Sequence, residues 1–266
     1  MARAVSRASR SRNDHPLLES FDDVHLHEFY ELFCLVSGDV EYLVEGTVYA
    51  LAPGDMLLIK PAEAHCVRIL SDTAYERITV HFSTPMLTST GTKAFTRFLE
   101  ELPVGVGKHF CAADHPDNCW LYYMDQIQKT TSKPKRELYI SILISELSDI
   151  YHNTVTVLPA HGLGVIPDII NYIGLNLTTP LCTEDLCSKF YISRAQLNRK
   201  FKAYTGSSVW DYITNKRLLL AKGMLQSGDS PATACTKCCF NEYTAFYRAY
   251  KAKFGISPKQ DLHHKP

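Results

Sequence analysis

Residues 183–258 carry one pattern of side chains twice, and that duplication restricts this part of the chain to a paired helical design. Cys187, Phe190, Ile192 and Ser193 correspond to Cys235, Cys238, Phe240 and Asn241 at an offset of 48. The offset then becomes 49, pairing Leu197 with Phe246, Arg199 with Arg248, Phe201 with Tyr250, Lys202 with Lys251 and Gly206 with Gly255. A small residue at the crossing (Cys187, Cys235) lets two short helices approach while apolar side chains fill the space between them, which is a helix-turn-helix. Ser193 with Gln196 forms a capping box for the second helix of the first copy, and Asn241 is the expected cap in the second. Pro231 suits a first helical turn, and Gly206 and Gly255 stand where helices should end.

Trp210, Ile213, Leu220, Ala221 and Met224 mark one face of a helix between the copies, of about 17 residues and about 25 Å. Successive major-groove faces lie about 34 Å apart, so a spacer of this size allows both second helices to enter adjacent grooves. With Leu197, Phe201, Phe246 and Tyr250 facing inward, the outer faces carry Ala195, Asn198 and Arg199, and Tyr243, Thr244, Tyr247 and Arg248. Arg can donate two bonds to guanine and Asn can pair with adenine, so these are candidate base readers, with Lys200, Lys202 and Lys251 set against phosphate. A helical interaction adaptor that never touches DNA is the alternative for the same motif.

Charge bears on that choice. The whole chain balances 28 Lys and Arg against 28 Asp and Glu, yet residues 1–160 hold 14 basic and 21 acidic side chains, while residues 161–266 hold 14 and 7. A basic C-terminal part suits a polyanion partner, the alternative being a solvated charged surface. Nine cysteines at irregular spacings read as reduced thiols, and Cys235-x-x-Cys238 lacks the further ligands of a zinc site. No run approaches the roughly 18 apolar residues of a membrane span, and a cytoplasmic location is expected.

Upstream, residues 1–15 are Arg- and Ser-rich with few large apolar groups and are expected to be a disordered basic tail. Between about 20 and 85, alternation such as Val40-Glu41-Tyr42 and Arg77–Phe82, punctuated by Pro53-Gly54-Asp55, predicts a small antiparallel barrel or jelly roll. Trp120, Tyr123, Met124 and Ile127, then Leu138, Ile142, Leu143, Leu147 and Ile150, predict two helices whose apolar seam serves a dimer or packs within the chain. Residues 155–164 read as a linker. The resulting division is a tail at 1–15, a sensor at 16–110, linker and dimerisation helices at 111–160 and an all-α DNA-binding domain at 165–263, an α+β multidomain chain.

The stretch from about Ile166 to Pro258 resembles the double helix-turn-helix domain of AraC-type transcriptional regulators. The likeness is carried by Leu186-Cys187, Phe190-Tyr191-Ile192-Ser193, Leu197-x-Arg199-x-Phe201-Lys202, Gly206, Tyr212, Arg217, Ala221, Phe240-Asn241, Phe246-x-Arg248-x-Tyr250-Lys251 and Phe254–Pro258. Cys239 stands where the family usually has Gly, which predicts strain in the second turn if its φ is positive. His27–Glu31, Ser37–Val40 and Pro53–Asp55 resemble the cupin-type sensor domain of such regulators. The resemblance implies a non-enzymatic homodimer that binds promoter DNA, works with RNA polymerase and responds to a small-molecule effector, often a sugar, with no cofactor required.

Two readings of the sensor's polar residues stand side by side. His25, His27, Glu31 and His65 follow the spacing of a cupin metal motif and suit a divalent transition metal, although the motif's upstream glycine is replaced by Glu19. The other reading has His27, Glu31, His65, Arg77 and His81 lining a pocket and orienting a hydroxylated effector. A metal-dependent cupin enzyme with an appended DNA-binding module is the alternative function.

Overall fold

Short apolar alternations become strands because one face of each can be buried while the other pairs or packs elsewhere. The computed structural model describes residues 6–14, 27–83, 86–87, 93–102, 109–153 and 164–263. They divide into two compact units, one holding the described residues of 4–22 and 29–162, the other those of 23–28 and 163–266.

The first unit has β1 (Ser6–Asn13), β2 (Tyr30–Ser37), β3 (Val40–Val44), β4 (Thr47–Leu51), β5 (Met56–Ile59), β6 (His65–Ile69), β7 (Tyr75–Phe82) and β8 (His109–Phe110). Two antiparallel sheets result, ordered β1-β7-β2-β5-β8 and β4-β3-β6. They are jelly-roll-like and not closed into a barrel. Between them lies a core of Phe33, Leu35, Val40, Tyr42, Val44, Tyr49, Leu51, Leu57, Ile59, Val67, Ile69 and Tyr75. The β3–β4 hairpin turns on Glu45 and Gly46, with φ of 50° and 85°, the two positive values that a tight two-residue hairpin requires.

The expected disordered tail is corrected for its described part. Ser6–Asn13 is an edge strand paired with β7 from Ser6 opposite Phe82 to Asn13 opposite Tyr75. Its lack of large apolar side chains is typical of an edge, where charge guards against further pairing. Arg10 instead forms an ion pair with Glu76 of β7 at 2.5 Å, and Ser9 Oγ lies 2.8 Å from Thr79 Oγ1. The linker at 155–164 falls almost wholly outside the described residues.

The helices expected as a separate linker layer pack on the first sheet. These are α2 (Trp120–Lys129) and α3 (Lys133–Asn153), after α1 (Lys93–Glu101). Trp120, Met124, Ile127, Ile140, Leu143, Ile144 and Leu147 share one core with Leu32, Cys34, Ile78, Val80 and Phe82. The buried stripe of α3 therefore runs through Ile140, Leu143, Ile144 and Leu147, whereas Leu138 of the expected seam is exposed. Asp55, from the Pro-Gly-Asp turn, ties β5 to this region. It lies 2.8 Å from His109 Nε2 and accepts from the N–H groups of Ala52 and Ala112 at 3.0 and 2.9 Å.

The second unit is helical: α4 (Val165–Leu175), α5 (Thr183–Lys189), α6 (Arg194–Thr205), α7 (Val209–Gln226), α8 (Pro231–Lys237), α9 (Tyr243–Phe254) and α10 (Pro258–His263). The buried face of α7 is built from Val209, Tyr212, Ile213, Leu218, Ala221 and Leu225, and Trp210, expected on that face, is 58% exposed. Arg217 of α7 is buried and donates to the carbonyls of Leu177, Thr179 and Cys239 at 3.0, 2.7 and 3.3 Å. Burial pulls its pKa below the usual guanidinium value, and the three carbonyls supply the hydrogen bonds that a buried charge needs. Among the described residues, no helix is long and apolar enough to cross a membrane.

Candidate nucleic-acid interface and ligand cleft

The duplication seen in the sequence persists down to single hydrogen bonds. Ile192 N–H donates to Cys187 O at 3.1 Å, and Phe240 N–H donates to Cys235 O at the same distance, so both turns close alike. Tyr191 and Cys239, 48 residues apart, both adopt left-handed backbone, with φ of 51° and 54°. The strain expected at Cys239 is therefore present in both turns. Gly206 and Gly255 end α6 and α9 with φ of 73° and 74°, each donating its N–H to a lysine carbonyl, Lys202 and Lys251, at 2.9 Å.

Ser193 Oγ caps α6 by accepting from Gln196 N–H at 3.3 Å, and Ser230 caps α8 with Pro231 in the first turn. The expected cap at Asn241 is corrected, because Glu242 holds the N-cap position of α9 and its side chain makes no capping bond. The change of offset from 48 to 49 accounts for this. One extra residue enters between the turn and the helix, so α9 begins at Tyr243 and Asn241 is left a residue outside.

Leu197, Phe201, Phe246 and Tyr250 are fully buried. Opposite them, Ala195, Asn198, Arg199, Lys200 and Lys202 are exposed on α6, and Tyr243, Thr244, Tyr247, Arg248 and Lys251 are exposed on α9. All ten residues expected on the outer faces are thus in solvent, on helices held by caps at both ends of α6 and at the C-terminus of α9. Sequence reasoning passed over two exposed neighbours. Tyr191 is 98% exposed in the first turn. Arg194 bonds Glu184 at 3.1 Å across the turn. The Tyr250 hydroxyl donates to buried Asp261, which fixes α9 against α10.

In the sheet unit, Glu31, Phe33 and Leu35 of β2 share the inner face with Tyr75, Arg77, Thr79 and His81 of β7, by the period of two. The Glu31 carboxylate is buried, with His81 Nε2 2.7 Å away, the Tyr42 hydroxyl donating at 3.5 Å and His65 Nε2 at 3.8 Å. His65 Nδ1 lies 2.8 Å from Glu63 O. Burial first, and the Glu31 charge second, push the Tyr42 hydroxyl well above its usual pKa. Arg77 is half-buried and donates to the Tyr75 hydroxyl at 3.0 Å.

The structure therefore brings together Glu31, His65, Arg77 and His81 and adds Tyr42 and Tyr75, which the sequence reading did not single out. Their place in an apolar alternation made them look like core alone. His27 belongs to the segment grouped with the helical unit, and His25 lies outside the described residues. The expected metal set of His25, His27, Glu31 and His65 therefore falls in part outside the described residues. The 2.7 Å between Glu31 and His81 is hydrogen-bond spacing.

Residues 186–263 match the family described as a helix-turn-helix domain, and residues 13–101 match the AraC-like ligand binding domain. The chain is 24% identical over 245 residues to the HTH-type transcriptional regulator YfiF of Bacillus subtilis (strain 168), covering 88% of this chain and 77% of that one. It is 23% identical over 252 residues to the HTH-type transcriptional activator RhaS of Yersinia pestis bv. Antiqua (strain Angola), covering 88% and 87%. Among solved structures it is similar to ToxT from Vibrio cholerae, at 13% identity and a TM-score of 0.44 over 97% of this chain and 98% of that one.

Proposed function

From its membership of the AraC-type transcriptional regulators, we propose that this chain binds operator DNA through α6 and α9 and senses a small metabolite through the Glu31–Arg77–His81 cleft. It is a ligand-responsive DNA-binding regulator of transcription, not an enzyme. The observation that carries the DNA reading is the pair of matched turns presenting ten exposed residues, all but Ala195 polar or aromatic, on two outward helix faces. Asn198, Arg199, Thr244, Tyr247 and Arg248 read bases, and Lys200, Lys202 and Lys251 meet phosphate. Ala195 and Tyr243, near the starts of the two helices, add apolar contact to a thymine methyl.

The effector is a sugar or similar hydroxylated metabolite whose uptake or breakdown the regulator controls. A homodimer is part of this reading, favoured by Leu121, Tyr122 and Leu138, exposed on α2 and α3. RhaS is named an activator, and by that likeness the chain works beside RNA polymerase at its promoter.

The test titrates the full chain against its own upstream region at two salt concentrations, with specific and scrambled competitor. Preference for the native sequence with a steep loss of affinity at the higher salt is expected. Equal competition by scrambled DNA, or no binding, would overturn the proposal in favour of a helical adaptor.

A further inference from the structure

Arg77 differs from the other charged groups of the cleft in having no ionic partner. Glu31 is engaged by His81, Tyr42 and His65, and Glu76, its neighbour in sequence, points to the other face of β7 and holds Arg10. Arg77 donates one bond, to the neutral Tyr75 hydroxyl at 3.0 Å, and its guanidinium lies 5.5 Å from the centre of the same ring. Among the described residues, no carboxylate lies within salt-bridge distance of it. A guanidinium carries five N–H donors in a planar fork that fits a carboxylate through two parallel bonds. An arriving carboxylate therefore meets donors beyond the one bond that Tyr75 takes.

We propose that the cleft is built for an anion, a small hydroxylated carboxylate of the sugar-acid type, whose carboxylate takes the free donors of Arg77. This deepens the effector reading above and rests on it. The remaining groups fit the rest of such a molecule. Ser9 and Thr79, 2.8 Å apart at the β1–β7 edge, offer hydroxyls, and Glu31 with His81 offers an acceptor and a ring nitrogen to ligand hydroxyls. Phe33, Leu35 and Tyr42 belong to the apolar core beside these groups. A neutral sugar offers the Arg77 fork no pair of carboxylate oxygens. Burial works to lower the pKa of Arg77, but Tyr75, Tyr42 and Glu31 outweigh it and raise it, so the group stays charged when the anion arrives.

Thermal unfolding of the full chain tests this at matched ionic strength with D-glucuronate, D-galacturonate and D-gluconate against D-glucose, D-galactose and D-sorbitol. The expected result is a rise in melting temperature with at least one acid and none with its neutral counterpart, with apparent affinity falling at least tenfold in Arg77→Gln. Arg77→Lys keeps the charge but not the fork and should retain part of the response, which guards against a variant that merely misfolds. If neutral sugars shift wild type and Arg77→Gln equally, the anionic inference is overturned while the cleft remains an effector site. If no compound of either kind shifts the wild type, the effector reading falls with it.

Discussion

Tyr191 and Cys239 show how much one backbone angle can be read through a repeat. For an L-residue the left-handed region costs about 1–2 kcal/mol, and glycine escapes most of that while giving up more freedom on folding. Cys239→Gly and Tyr191→Gly are each expected to stabilise the helical unit by about 0.5–1 kcal/mol in urea unfolding, because neither substitution touches the Arg217 bond to the Cys239 carbonyl. Cys239→Val at the same place should destabilise by at least as much, since branching at Cβ worsens the clash. The strain at Cys239 was legible as a departure from the family's glycine, whereas Tyr191 shows it only as the matching position 48 residues earlier. On the outer faces, Arg199→Ala and Arg248→Ala should each cost about 1–3 kcal/mol of operator affinity and relax one base position. Lys202→Ala and Lys251→Ala should instead weaken all sequences alike and reduce the salt slope by about one. Selection experiments on randomised operators separate the two patterns, and an arginine that loses affinity uniformly is a phosphate contact.

At the scale of elements, legibility followed whether an element's role lay in its own residues or in its partner's. The helices of the repeat announced themselves because caps, apolar spacing and terminal glycines are all local. Strand β1 did not, since its sequence is Ser and Arg and its pairing rests on β7 and Glu76, 66 residues from Arg10. The buried stripe of α3 was also misjudged, because Ile142 and Ile144 are equally apolar and only the sheet decides which faces inward. Asp55 is a similar case, its turn visible in sequence but its tie to His109 and Ala112 not. Burial would raise this carboxyl's pKa, but His109 and the N–H groups of Ala52 and Ala112 outweigh that and hold it below the usual value. The folded state therefore binds this proton less readily than the unfolded chain. The stability it lends is full above roughly pH 4, the unfolded value, and is lost as pH falls through the folded one. Asp55→Asn should cost about 1–3 kcal/mol at neutral pH and flatten the acid limb of the stability profile below pH 4. An unchanged acid limb in the variant would show that other carboxylates carry it.

For the whole molecule, the charge division seen in the sequence sets apart two kinds of response. The basic part holds the exposed Arg and Lys of α6 and α9, so affinity for DNA should fall linearly on a logarithmic salt scale, with a slope of about −0.9 per phosphate contacted. The cleft groups, by contrast, belong to the other unit, with Glu31 beside His81 and His65. Removing one of them should alter the response to effector without altering that slope. Glu31→Gln keeps the shape of the side chain but removes the charge that holds His81, and His81→Ala removes the ring beside Glu31. Both variants are expected to match wild type in effector-free operator affinity and salt dependence while losing the shift in affinity that effector produces. The reason is linkage: a ligand moves an equilibrium only by its difference in affinity for two states, and a cleft that no longer grips it has no difference to give. Operator titrations with and without the acid identified by thermal shift measure both quantities on the same samples. A full effector response in both variants would remove Glu31 and His81 from the sensing site, and a loss of effector-free affinity would place them instead in the support of the DNA-bound state.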